Sequence, residues 1–259
     1  MANWLFNPPV FWMTLVIFLG TFLVSFIIYL TVTRLAVGER AAGFRALTPG
    51  LLSPLGVIFG LLVAFTAAQV WDDYGRAEIA VANEASALRS VVLLAKGFPG
   101  EPETRLRTLI NRHIEAAVGE EWPEMARQQK SLKDLPVDLV EALKTALALP
   151  AADESQRTIQ REIISVLEKA LDARRQRIIL SHSTVTPIKW VTLLLQALAI
   201  QIAIGVVHSH SRLACAIGLS LFGTGIALSI LLIAAYRNPF SGDLAVSPDL
   251  LQQVIATET

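Results

Sequence analysis

A single cysteine, Cys215, lies in an uncharged run, which excludes an intrachain disulfide and a cysteine-rich metal site. Charge is also scarce. Only 17% of the residues are Asp, Glu, Lys or Arg, and the 22 basic and 22 acidic side chains cancel, so no global field recruits nucleic acid or anionic lipid. Enzyme signatures are missing as well: there is no Gly-x-Ser-x-Gly, no phosphate-cradling glycine loop and no His-Glu-x-x-His. Glu120-Glu121-Trp122-Pro123-Glu124 reads as an exposed acidic helix break rather than a catalytic carboxylate pair. His208 and His210, with no acid or cysteine beside them, read as a polar turn, and His113 as a buried, hydrogen-bonded core position. No enzymatic activity, cofactor or metal is expected.

What the sequence has is apolar length. It is 53% hydrophobic, with a mean hydropathy of +0.53 over 259 residues. Val10 to Val32, Leu51 to Val70, Trp190 to Val207 and Leu213 to Tyr236 contain no charge. Each run comes close to or exceeds the ~20 residues that cross a bilayer as a helix. The first is too long for a signal-peptide core and follows a stretch, Met1 to Pro9, without Lys or Arg, so it is expected to remain as an anchor. Trp71 to Lys189 holds 17 of the basic and 18 of the acidic residues and is the soluble part. Its apolar positions recur every three or four residues: Val81, Ala85, Leu88, Val92; then Leu106, Ile110, His113, Ala117; then Ile159, Ile163, Val166, Ala170. No sustained two-residue alternation occurs.

The expected fold is therefore an all-α integral membrane protein, with four transmembrane helices and a helical extramembrane domain between the second and third. The expected segments are 1–70, 71–189, 190–236 and a C-terminal turn and short helix at 237–259. Breakers at Gly97-Phe98-Pro99-Gly100, Gly119, Pro123, Pro136 and Pro150 predict helix ends. Asp153 is the expected N-cap of a long helix from about Glu154 to His182, and the second span is expected to continue as one rod into the soluble layer. Arg34, Arg40 and Arg45 against Glu39 favour a cytoplasmic first loop, whereas Arg76, Arg174, Arg175, Arg177, Lys189 and Arg237 flank the opposite span ends. Both orientations put the two termini on the side of the soluble domain; the expected location is the plasma (inner) membrane, with that side cytoplasmic.

The second span carries the most information. Gly56, Gly60, Ala64 and Ala68 form a small-residue stripe that invites close approach of another helix, from the same chain or a second copy. Ile58, Leu62, Phe65 and Gln69 lie on the opposite side and would line a hydrophobic constriction if copies assembled round an axis, or else face lipid or the bundle core. Asp72, Asp73 and Arg76 would sit at its mouth, with Arg76 placed to neutralise one of the two acids. Glu84, among small residues, requires a partner, for which Arg174 or Arg177 is the natural candidate. Gln196 and Gln201 in the third span are expected to bond to neighbouring helices. After the fourth span, Arg237-Asn238-Pro239-Phe240-Ser241-Gly242-Asp243 stops and redirects the chain. Pro239 biases Asn238 away from helix, Gly242 permits the turn, Phe240 docks, and Ser247 caps a short helix over Asp249 to Val254.

Glu84-Ala85-Ser86-Ala87-Leu88, Glu121-Trp122-Pro123, Arg174 with Arg177, Pro239-Phe240-Ser241-Gly242 and Ser247-Pro248, set in a two-plus-two span layout, resemble the bacterial bestrophin-like domain family over roughly residues 50 to 255. Members usually carry an acid two residues before the Pro-Phe, where this chain has Arg237. By architecture the resemblance implies a homo-oligomer in membrane lipid that conducts small ions along its axis. The alternative is a non-conducting scaffold or accessory subunit whose soluble domain binds a protein partner.

Overall fold

A computed structural model describes residues 10–36, 44 and 49–256, and every regular element among them is helical. Arg40, Arg45 and Glu39 of the first loop, and Met1 to Pro9, lie outside the described residues. Among the described residues four helices are long and apolar enough to cross a membrane: α1 (Val10–Leu35), α2 (Leu52–Ala95, preceded by a 3-10 turn), α7 (Pro187–Val207) and α8 (Arg212–Ala235). Between α2 and α7 come α3 (Glu101–Ala116), a π-helical turn (Ala117–Glu121), α4 (Trp122–Ala126), α5 (Val137–Leu147) and α6 (Glu154–Ser181); α9 (Asp249–Ala256) ends the chain.

The chain divides into two compact units, residues 1–71 with 184–237 and residues 72–183 with 238–259. Residues 238–259 thus fall in the same unit as residues 72–183. In the first unit α1 packs on α8 and α7, and α7 on α8. Gly223 of α8 lets α1 come close, since a Cβ there would stand 2.9 Å from Ser25 Oγ. At this crossing Gln201 Nε2 donates to Ser25 Oγ at 3.1 Å, so a buried amide of the third span does bond to a neighbouring helix.

In the second unit α3 packs on α5, α5 on α6, and α9 on α3. The core is aliphatic, with Leu88, Val91, Leu106, Ile110, Leu139, Ile163 and Leu167 fully buried. Asp153 caps α6, its Oδ1 accepting from Gln156 N at 2.7 Å. α2 is continuous from Leu52 to Ala95, as the lack of breakers before Gly97 predicts.

Gly119 and Pro123 do not end a helix. The chain stays helical from Glu101 to Ala126, and the strain of the missing Pro123 N–H falls on the π turn just before it. The inserted residue also resets the helix face. On an unbroken α-helix Trp122 would lie about 160° round from Leu106, and one extra residue brings it back to about 60°. Trp122 and Met125 consequently join the core.

Candidate functional site

The soluble unit buries a charge cluster. Glu84 is fully buried on α2, where its neighbours Ala80, Ala85 and Ala87 offer no polar group. Arg177, also fully buried on α6, grips it with two bonds, Nε to Oε2 at 2.7 Å and Nη2 to Oε1 at 3.1 Å. His113 Nε2 on α3 donates to the same Oε1 at 3.0 Å. Arg177 Nη2 also reaches Glu121 Oε2 at 2.9 Å. Arg174, one helical turn earlier, does not touch Glu84 and instead donates to Glu121 Oε1 through Nε at 3.0 Å and through Nη2. Two arginines and two carboxylates therefore balance in one buried network, with Lys130 at its rim 3.8 Å from Glu121.

Glu121 corrects the reading of the acidic cluster as exposed. It is buried because the π turn points it inward, while Glu120 on the same stretch stays exposed. The signal for it lay in the arginines: two guanidiniums three residues apart on the buried face of α6 need two carboxylates, and Glu84 supplies only one.

The redirecting motif closes over this network. Asn238 Oδ1 accepts from Phe240 N at 2.9 Å, fixing the turn, and Gly242 takes φ 94°. Phe240 and Pro239 are buried, and the Phe240 ring meets Trp122 edge-on at 5.6 Å. Trp122 Nε1 donates to Val246 O at 3.1 Å, and its ring lies 4.9 Å beneath the Arg177 guanidinium. Ser247 Oγ accepts from Asp249 N at 3.3 Å at the start of α9.

Burial would push the Glu84 carboxyl up, but the Arg177 charge and the bonds from His113 and Arg177 outweigh it and bring its pKa from 4.5 to about 2. Burial and the charges of Arg177 and Arg174 act in the same opposed way on Glu121, whose pKa is also lowered. A carboxylate with a depressed folded-state pKa stabilises the protein above its unfolded value and loses that contribution as pH falls toward the folded one. Stability is thus expected to be level at neutral pH and to fall progressively from pH 4.5 toward pH 2, by about 3 kcal/mol for Glu84 alone. Thermal unfolding in detergent at stepped pH checks this; a midpoint unchanged down to pH 3 would contradict it.

On α2 before residue 71 the structure separates packed from open sides. Phe59, Thr66, Ala67 and Val70 are buried against the rest of the first unit. Gly60, Ala64 and Ala68 are exposed, and a Cβ at Gly56 or Gly60 would meet nothing within 4 Å, so the small-residue stripe is not used for packing within the chain. Ile58 (53%) and Phe65 (72%) are also uncovered, while Leu62 and Gln69 are half-buried. Gln69 Oε1 accepts from Lys189 Nζ. In the second unit Arg76 pairs with Asp72 at 3.9 Å, both well exposed, whereas Asp73 turns away to accept from Ser183 Oγ. His208 Nδ1 bonds back to Ile204 O at 2.9 Å.

The fold has solved counterparts. A bacterial bestrophin homologue from Klebsiella pneumoniae with a Leu-to-Thr substitution superposes with a TM-score of 0.72 at 12% identity, covering 93% of this chain and 96% of that one. A form with an Ile-to-Thr substitution gives 0.69 at 12%, over 95% and 97%. The same homologue phased with zinc gives 0.66 at 12%, over 95% of each chain. No curated protein matches the chain. The model of the bestrophin-like domain matches residues 19–251, nearly the whole length. The charge cluster and the closing motif fall inside that match, as do all the helices except the start of α1 and the end of α9, and the chain belongs to the bestrophin-like domain family.

Proposed function

We propose that the protein is a homo-oligomeric ion channel of the plasma membrane, with the soluble unit and both termini cytoplasmic and a central axis lined by Ile58, Leu62, Phe65 and Gln69 of α2. The observation that carries this reading is the uncovered half of α2. A membrane helix that leaves open, within its own chain, Gly60, Ala64 and Ala68 on one side and Ile58 and Phe65 on the other has one surface for a neighbouring copy and one for a path. Gly56, Gly60, Ala64 and Ala68 pack copy to copy, and Ile58 and Phe65 narrow the axis. Asp72, partly offset by Arg76, forms an exposed ring at the mouth. Family membership and the bestrophin fold support the same assignment.

Purified protein in mild detergent is expected to run as an oligomer and, in liposomes, to pass ions. Phe65→Ala and Ile58→Ala are expected to raise that flux by widening an apolar constriction. A monomer in detergent, or no flux from wild type and both variants, overturns the reading and leaves the scaffold alternative.

A further inference from the structure

The soluble unit exposes an apolar cluster on one loop. Leu132 is 50% exposed, and Leu135 and Val137 are 74% exposed. The loop is a built turn: Ser131 N donates to Asp134 Oδ2 at 3.1 Å, and Lys133 N to Ser131 Oγ at 3.2 Å. It is also tied down. His182 Nε2 donates to Lys130 O at 2.7 Å and Arg174 Nη2 to Asp134 O at 3.1 Å, so the loop lies along the last turns of α6.

That end of α6 is tied, within a few residues along the chain, to three of the helices long and apolar enough to cross a membrane. Ser183 stands four residues before Pro187, the first residue of α7. Its hydroxyl bonds to Asp73, three residues after Val70 closes the apolar run of α2. Asn238, three residues after α8 ends at Ala235, donates from Nδ2 to Ser181 O at 3.4 Å. Four residues of extended chain reach at most about 14 Å, so Ser183, next to the His182 that holds the loop, is within that distance of the first residue of α7.

We propose that the Lys130–Val137 loop is a lipid-contacting surface, with Leu132, Leu135 and Val137 lying in the headgroup–acyl boundary of the bilayer. Three large uncovered aliphatic side chains within six residues on a fixed turn suit that layer, which accepts apolar groups to a depth of ~5–10 Å. Lys133, exposed and without an ion pair among the described residues, is placed to reach lipid phosphate. Lys130 is engaged by Glu124 and Asp134 and keeps the turn from splaying. The proposal rests on the membrane fold and is independent of ion conduction.

The test uses full-length protein in the Cys215→Ala background, with an environment-sensitive fluorophore on Leu132→Cys or, separately, Val137→Cys. The protein is placed in phosphatidylethanolamine/phosphatidylglycerol vesicles carrying a nitroxide near the top of the acyl chain. Both labels are expected to shift to the blue and to be quenched about two-fold, the depth range of an interfacial residue, with a label on Glu154→Cys at the far end of α6 unaffected. Labels that ignore the nitroxide and stay open to aqueous iodide overturn the proposal. Labels shielded from both quenchers also overturn it, because a second copy or another protein then covers the loop.

Discussion

Arg177→Met lowers the stability of the folded protein by about 3–5 kcal/mol, the cost of leaving a buried charge without its partner. The guanidinium holds both oxygens of Glu84 and one of Glu121, and no solvent reaches Arg177 or Glu84. With methionine in its place the volume is nearly kept, so the loss reports charge rather than a cavity. Glu84 retains only His113, and protonation becomes its cheapest response. The variant should therefore lose the Glu84 share of the acid-induced fall in stability expected of the wild type below pH 4.5, while Glu121 keeps Arg174. Glu84→Gln combined with Arg177→Met should recover part of the loss, because no uncompensated charge then remains. Arg174→Met should cost less, since Glu121 keeps Arg177 and Lys130. Denaturant unfolding in detergent measures all three variants against the wild type; a loss below about 1 kcal/mol for Arg177→Met would show that the pair is solvated in solution.

Phe240→Ala costs about 3–5 kcal/mol, the range for emptying a buried aromatic site. Its ring is 2% exposed and packs edge-on against Trp122, which in turn lies under Arg177. The cavity would open beside the ion network, so the penalty includes water reaching charges that are otherwise dry. Because Phe240, Trp122 and Arg177 touch in sequence, Phe240→Ala and Arg177→Met together should cost less than the sum of the two. Phe240→Leu refills most of the space and should restore much of the stability. An unchanged melting temperature for Phe240→Ala would mean that the closing motif is not docked in solution.

The buried network makes an energetic choice visible. A Leu in place of each charged residue would be cheaper to bury, yet the chain joins α2, α3, the π turn and α6 through directed bonds. Such bonds permit one register between helices where apolar packing tolerates several. The helix that carries Ile58 and Phe65 also carries Glu84, so the network fixes the rotation of the α2 segment that continues from the proposed conducting face.

The four spans, the unbroken α2 rod, the Asp153 cap and the redirecting turn at Pro239 were legible because each is a local consequence of side-chain type. Apolar length specifies a span, and a missing N–H or a capping carboxylate specifies an end. Gly119 and Pro123 looked like the same kind of signal and were not, because a π turn absorbs a proline without ending the helix, and no local residue pattern announces that insertion. Glu84 advertised its need for an arginine, since an isolated acid among alanines has no other remedy. Which arginine it takes, and that Glu121 joins it, depends on how helices whose contacting residues are 29 to 93 positions apart are rotated against one another. Sequence periodicity sets which face of each helix is buried. Only packing the faces together decides which buried charges meet, because a Coulomb contact of ~3 Å is fixed by tertiary register and not by spacing along one chain.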